Sequence, residues 1–158
     1  MRPEQFRSYS AVFPILLRSG PHGQEVLLHL RQNTGYMDGC WDFAGSGHVD
    51  ENETARQAVA RECQEELGIT VEPADAEFIH LCHRVAGGDG RTYYDLCFRI
   101  RRYSGEPAVM EPEKNAGLHW FPTDALPENI SSAEVSVSEE AVTVRRGALR
   151  GVAIDAGP

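Results

Sequence analysis

What is missing from this 158-residue chain narrows its class first. No apolar run approaches the ~20 residues that a membrane span needs. The opening MRPEQFRSYS lacks a continuous apolar stretch and a small-residue cleavage site, so no secretory signal is read from it and the cytoplasm is the expected location. Cysteine is sparse and unpatterned: Cys40, Cys63, Cys82 and Cys97 form no C-x-x-C pair and no Cys/His zinc spacing. The expectation is four reduced thiols used as small apolar residues. There is no excess of positive charge. A net charge of −9 argues against a nucleic-acid partner or an anionic membrane surface, since both need a basic face. A small phosphorylated ligand is still compatible, held by a local Arg/Lys cluster or by metal. Internal repeats and low-complexity tracts are also absent.

What is present is an ordinary globular composition, 41% hydrophobic and 25% charged. The length fits one domain over residues 1–158, with about 150–158 small and polar enough to fray. Residues 8–17, SYSAVFPILL, read as a strand in which Pro14 marks a bulge or an edge. RSGPHGQ closes a hairpin, and EVLLHLR (25–31) returns. QNTGYMDGCW (32–41) is a loop, and 42–49 is short, Gly-rich and extended. A helix is expected over about 53–67, with Asn52 as its N-cap and Gly68 turning the chain at its end. Two strands, 76–86 and 91–103, flank a Gly87-Gly88-Asp89-Gly90 turn. A Pro/Glu-rich loop spans 104–116, a short strand 117–121, and a second helix is expected within 136–149. The whole reads as a mixed α/β domain whose exposed strand edges are compatible with a homodimer.

The helix carries an anomaly. On a wheel at about 100° per residue, Ala55, Ala58, Val59, Cys63 and Leu67 make one apolar face. Glu62 and Glu66 fall inside that face, and Glu65 at its border. The three are spaced i, i+3, i+4, so their carboxylates converge. Left alone they repel and lose hydration. Proton uptake relieves the cost, and so does a multivalent cation. Three hard oxygens without a His or Cys cluster suit Mg²⁺ or Mn²⁺. The plainer alternative is an acidic solvated face with Arg61 making surface ion pairs.

The spacing runs Gly47, five residues, Glu53, seven residues, Arg61-Glu62-Cys63-Gln64-Glu65-Glu66-Leu67-Gly68-Ile69. It resembles the signature of the Nudix hydrolases, G-x5-E-x7-R-E-U-x-E-E-x-G-U with U aliphatic. The one departure is Cys63 at the first aliphatic position, which implies looser packing and unchanged chemistry. The resemblance implies an α/β/α sandwich with a mixed β-sheet between helices. It further implies a loop–helix–loop holding divalent cations against a diphosphate. Glu62, Glu65 and Glu66 become metal ligands, with the Gly47 carbonyl as a further ligand. Glu66 would bridge metals or help activate water, Arg61 would orient the glutamates, and Glu53 would brace the loop.

The implied activity is Mg²⁺-dependent hydrolysis of a nucleoside diphosphate linked to another group X, with Mn²⁺ as a substitute. Two substrate classes compete: nucleoside triphosphates, oxidised ones included, and nucleotide-sugars or dinucleotides. A nucleotide-sensing domain without catalysis is a third reading, against which the intact glutamates speak. Outside the motif, Glu113 is a candidate base or ligand and Lys114 a candidate phosphate contact, set against a merely solvated charged loop. Arg31 is a candidate phosphate contact and Trp41 a candidate stacking surface for a base, with core packing the alternative for Trp41 and Trp120. His48 reads more simply as structural.

Overall fold

The strand that organises the fold is β1, Tyr9–Gly20, in a computed structural model that describes residues 4–86, 91–130, 134–137, 142–145 and 152–156. The other strands are β2 (Gly23–Arg31), β3 (Trp41–Phe43), β4 (Gly47–His48), β5 (Glu77–Ala86), β6 (Thr92–Ile100), β7 (Asn115–Pro122), β8 (Glu134–Val137), β9 (Val142–Arg145) and β10 (Val152–Ala156). One α-helix, α1 (Ala55–Leu67), and a 3-10 turn at Pro73–Asp75 complete the described elements. The main sheet has the order β10-β5-β6-β1-β2-β3, with β4 beside β1 and β7 beside β2. It is mixed: β1 runs parallel to β6 and antiparallel to β2 and β4.

β1 is shared between two sets of partners. Ala11 and Val12 pair with β4, whereas Leu17–Gly20 pair with β2. Pro14 falls in the interval between those pairings, so a residue with no N–H sits where one side of the strand carries no ladder. The strand is thus interior and continuous along β6, from Tyr9↔Tyr93 to Leu16↔Ile100. The β1–β2 turn is tighter than RSGPHGQ suggested, since Gly20 pairs directly with Gly23.

Side chains alternate across the sheet and make two cores. Val12, Leu16, Leu27, Phe98 and Ile100 face α1 and meet Ala58, Val59, Cys63 and Leu67. Phe13, Ile15, Val26, Leu28 and Phe43 occupy the other face, covered in part by Trp41, Phe121, Leu126 and Ile130. Each fully buried aliphatic contributes roughly 1.5–3 kcal/mol.

The mixed sheet and packed helix agree with the α/β expectation; three local expectations change. The helix starts two residues later than expected. Asn52 is left-handed (φ 64), and Thr54 is the N-cap, in a reciprocal capping box with Gln57. Within 136–149, the described residues are strands: β8 pairs with β9, from Glu134↔Arg145 to Val137↔Val142. EVSV and VTVR alternate β-branched and polar residues, a pattern that favours a strand over a helix. In the tail, β10 adds to the edge of β5 instead of fraying. The Gly87–Gly90 turn lies outside the described residues. Among those described, no helix is long and apolar enough to cross a membrane.

Candidate functional site

Arg61 is the hub of the acidic cluster on α1. Its Nε and Nη2 donate to the two oxygens of Glu53 at 2.9 and 3.0 Å, a bidentate fork. Nη1 donates to Glu62 at 2.7 Å and to Glu65 at 3.2 Å, and Nη2 also donates to the His48 carbonyl at 2.9 Å. Asp50 adds an ion pair at 3.6 Å. One guanidinium therefore ties the helix to the loop before it. The fork from Arg61 holds the Glu53 carboxyl below the usual range, and Glu53 in turn accepts from the Asp50 amide at 3.0 Å.

Glu62 is buried, at 9% exposure, and its carboxyl lies where a Cβ on Gly47 would stand. Gly47 is needed at that place for its lack of a side chain. Burial pushes the Glu62 carboxyl up, and Arg61 offsets only part of the rise. Glu66 is perturbed further, to about 8, first by burial, then by repulsion from Glu62 and Glu111. The Lys114 ammonium and the Gly45 amide pull it the other way. Glu65 is exposed, at 57%, and reaches Arg61 across one turn of helix.

The Pro/Glu loop is fastened to the end of α1. Ala108 N–H donates to the Leu67 carbonyl at 3.0 Å, and Met110 N–H to the Glu66 carbonyl at 3.2 Å. On its other side, Gln32 and Asn33 donate to the Pro112 and Glu113 carbonyls at 2.7 and 3.0 Å. This brings Glu111 and Lys114 to Glu66, with Lys114 Nζ 3.2 Å from Glu111. Glu113 is exposed, and its charge raises the Lys114 ammonium. The acid beside Glu66 is thus Glu111, which sequence reasoning passed over. No spacing signals it; the backbone bond from Met110 decides it.

Arg31 is engaged in its own loop. It donates to the Tyr36 carbonyl at 2.9 Å and Thr34 Oγ1 at 3.1 Å, and pairs with Asp42 at 3.6 Å. Trp41 packs edge-on to Phe121 with centroids 4.8 Å apart, on the sheet face opposite α1. Neither is brought to the glutamates. None of the four cysteines is in a disulfide, and burial pushes the Cys63 thiol up to about 12, which leaves it inert.

A hard divalent cation suits the donors here: two carboxyls strained by burial and mutual repulsion, a third exposed, and a backbone carbonyl. In the arrangement seen, no three His, Cys, Asp or Glu groups among the described residues converge tightly enough to hold one. Arg61 draws Glu62 and Glu65 to itself instead.

A NUDIX domain model matches residues 9–140. The chain belongs to the Nudix hydrolase family. The family's members act on nucleotide pyrophosphates and generally use divalent metal ions. Among curated Nudix relatives, the CTP pyrophosphohydrolase of Escherichia coli K12 is 29% identical over 122 residues, 77% of this chain and 84% of the relative. The 8-oxo-dGTP diphosphatase of Proteus vulgaris is 46% identical over a shorter stretch of 46 residues, 29% of this chain and 40% of that one. The crystal structure of a MutT Nudix hydrolase from Burkholderia pseudomallei superposes with a TM-score of 0.70 at 30% identity, covering 79% of this chain and 91% of that one.

Proposed function

We propose that this Nudix hydrolase cleaves the pyrophosphate bond of a nucleoside triphosphate, releasing a nucleoside monophosphate and pyrophosphate, with Mg²⁺ as cofactor and Mn²⁺ as a substitute. The observation that carries the reading is the convergence of Glu62, Glu65 and Glu66 on one helix, with Glu62 against Gly47 and the loop bearing Glu111 and Lys114 fastened to Glu66 by the Met110 amide. The two similar enzymes that act on CTP and on 8-oxo-dGTP support a triphosphate over a nucleotide-sugar or dinucleotide.

Glu62, Glu65 and Glu66, with the Gly47 carbonyl, would hold the cation, Glu65 exchanging its 3.2 Å bond to Arg61 for it. The cation, when bound, neutralises the diphosphate and lowers the pKa of the attacking water. Arg61 fixes Glu62 and the His48 carbonyl, so the loop bearing Gly47 keeps its place against the helix. A water attacks phosphorus, the bond to the bridging oxygen breaks, and the electron pair leaves with the pyrophosphate. Glu66 stands beside Glu62, Glu111 and Lys114, where one of its oxygens would take the proton from that water. Lys114 supplies positive charge to the departing phosphate. Arg31 and Glu113 act at the margin of the site, by ordering the loop at 32–38 and the loop at 108–114. In this reading the Nudix domain at residues 9–140 works in the cytoplasm, on a small nucleotide and without a nucleic-acid partner.

The test is a product-resolved screen of normal and oxidised NTPs, ADP-ribose and nucleotide-sugars with Mg²⁺ and Mn²⁺, repeated with Glu66→Gln. One triphosphate should stand out, and the variant should lose about 10³-fold or more in kcat while keeping its circular dichroism. Near-normal turnover by Glu66→Gln would sink the assignment of Glu66.

A further inference from the structure

Beyond the end of the β2–β7 ladder, side chains take over the pairing. The strand register closes at Arg31↔Asn115. Past it, Gln32 N–H donates to the Lys114 carbonyl at 3.0 Å, Gln32 Nε2 to the Pro112 carbonyl at 2.7 Å and Asn33 Nδ2 to the Glu113 carbonyl at 3.0 Å. Successive carbonyls of one loop are thus held by two successive residues some 80 positions away. The turn they hold folds back on itself, since the Lys114 and Asn115 amides both donate to the Glu111 carbonyl, at 3.0 and 3.1 Å. At its start, the Met110 amide ties it to Glu66. Burial does not fix this turn, because Met110, Pro112, Glu113 and Lys114 are exposed. Its place is set by hydrogen bonds.

We propose that Gln32 and Asn33 are positioning residues for hydrolysis: through the 111–114 turn they set where Glu111 and Lys114 stand beside Glu66, and neither touches the substrate. The inference is built on the pyrophosphate chemistry proposed above, in which Lys114 supplies charge to the departing phosphate. Glu111 and Lys114 are the groups of this turn whose charges act on Glu66. Such charges help only from the right place, and a shift of about 1 Å is worth roughly 10²-fold in rate. The donors are themselves preset. Asn33 is left-handed (φ 54), and asparagine joins tolerance of that backbone to a side-chain N–H. Arg31 braces the next residues through the Tyr36 carbonyl and Thr34 Oγ1, while Asp38 accepts from the Thr34 and Gly35 amides at 3.0 and 3.1 Å. The loop that presents Gln32 and Asn33 is therefore closed by its own bonds, and it can act as a fixed bracket for the turn.

Gln32→Ala with Asn33→Gly removes both side-chain donors, and glycine keeps the left-handed backbone. The pair should lower kcat by about 10- to 100-fold and leave KM within a few-fold. In a chain that also carries Glu111→Ala and Lys114→Ala, the same pair should cost no more than about threefold, because the groups it positions are gone. A merely structural role would cost the same in both backgrounds. Asn33→Gly alone, which leaves the β2–β7 ladder untouched, should give a smaller loss of the same pattern and serves if the pair impairs folding. A second readout needs neither metal nor turnover. Amide hydrogen exchange at Met110, Lys114 and Asn115 should quicken by about tenfold or more in the variant, while Ala58 in α1 is unchanged. Wild-type kcat, an equal cost in both backgrounds, or unmoved exchange at those amides overturns the proposal. A wild type that hydrolyses nothing would remove the hydrolase reading; quickened exchange would still support Gln32 and Asn33 as the bracket of the turn, and unmoved exchange would overturn that too.

Discussion

At Gly47 the space that a Cβ would fill is already taken by the Glu62 carboxyl. The backbone there is not left-handed, so what glycine provides is volume rather than conformational freedom. Gly47→Ala should push Glu62 off its 2.7 Å bond to Arg61, since the carboxyl is the part of the contact that can swing. A displacement of about 1 Å at a reacting centre is worth roughly 10²-fold in rate. The expected outcome is a kcat lower by about that factor with a thermal midpoint within a few degrees of wild type, read by steady-state kinetics beside calorimetry. A wild-type kcat would mean that Glu62 relaxes without consequence. Much of this was written in the spacing: Gly47, Glu53, Arg61, Glu62, Glu65 and Glu66 stand where the motif puts them, because one helix and its preceding loop carry them all. Glu111 was not legible, because its approach to Glu66 depends on a loop bond between residues far apart in sequence.

The helix that carries the glutamates begins at a reciprocal cap. Gln57 N–H donates to Thr54 Oγ1 at 3.3 Å, and Thr54 N–H to Gln57 Oε1 at 2.9 Å. At its other end Gly68 is left-handed (φ 68), and its N–H closes on the Cys63 and Gln64 carbonyls. Thr54→Ala removes one side of the cap and should lower the unfolding free energy by about 1 kcal/mol. Urea denaturation checks it; an unchanged midpoint would mean that Gln57 alone satisfies the end. The periodicity located this helix but not its first residue, because Glu53 is recruited by Arg61 and Asp50 instead of joining the first turn. The helix expected within 136–149 gives way to β8 and β9, short β-branched segments whose pairing is settled only by a partner strand.

At the scale of the whole molecule, a few ionisable groups are buried, His29, Asp42, Glu62 and Asp95 among them, and titration should therefore report on the fold. His29 lies in the sheet opposite Asp42 and Leu118, 7% exposed, and its Nε2 has no hydrogen-bond partner. Burial holds the imidazole below its ordinary 6.5, against the pull of Asp42 and with a small push from Arg31. The folded state thus binds this proton less readily than the unfolded chain. Its contribution is fully present above pH 6.5 and is lost as pH falls through the lower folded value. Glu62 and Glu66 act with the opposite sign, because acids raised by burial favour the fold as pH falls toward their unfolded range. The net slope mixes these groups, so the informative quantity is a difference. His29→Gln removes the titration and keeps a polar side chain of similar reach. Between pH 7.5 and 5.5, the thermal midpoint of wild type should fall relative to that of His29→Gln by a few degrees, measured without added metal. Parallel curves over that range would show that the buried imidazole does not set the acid limit of the fold.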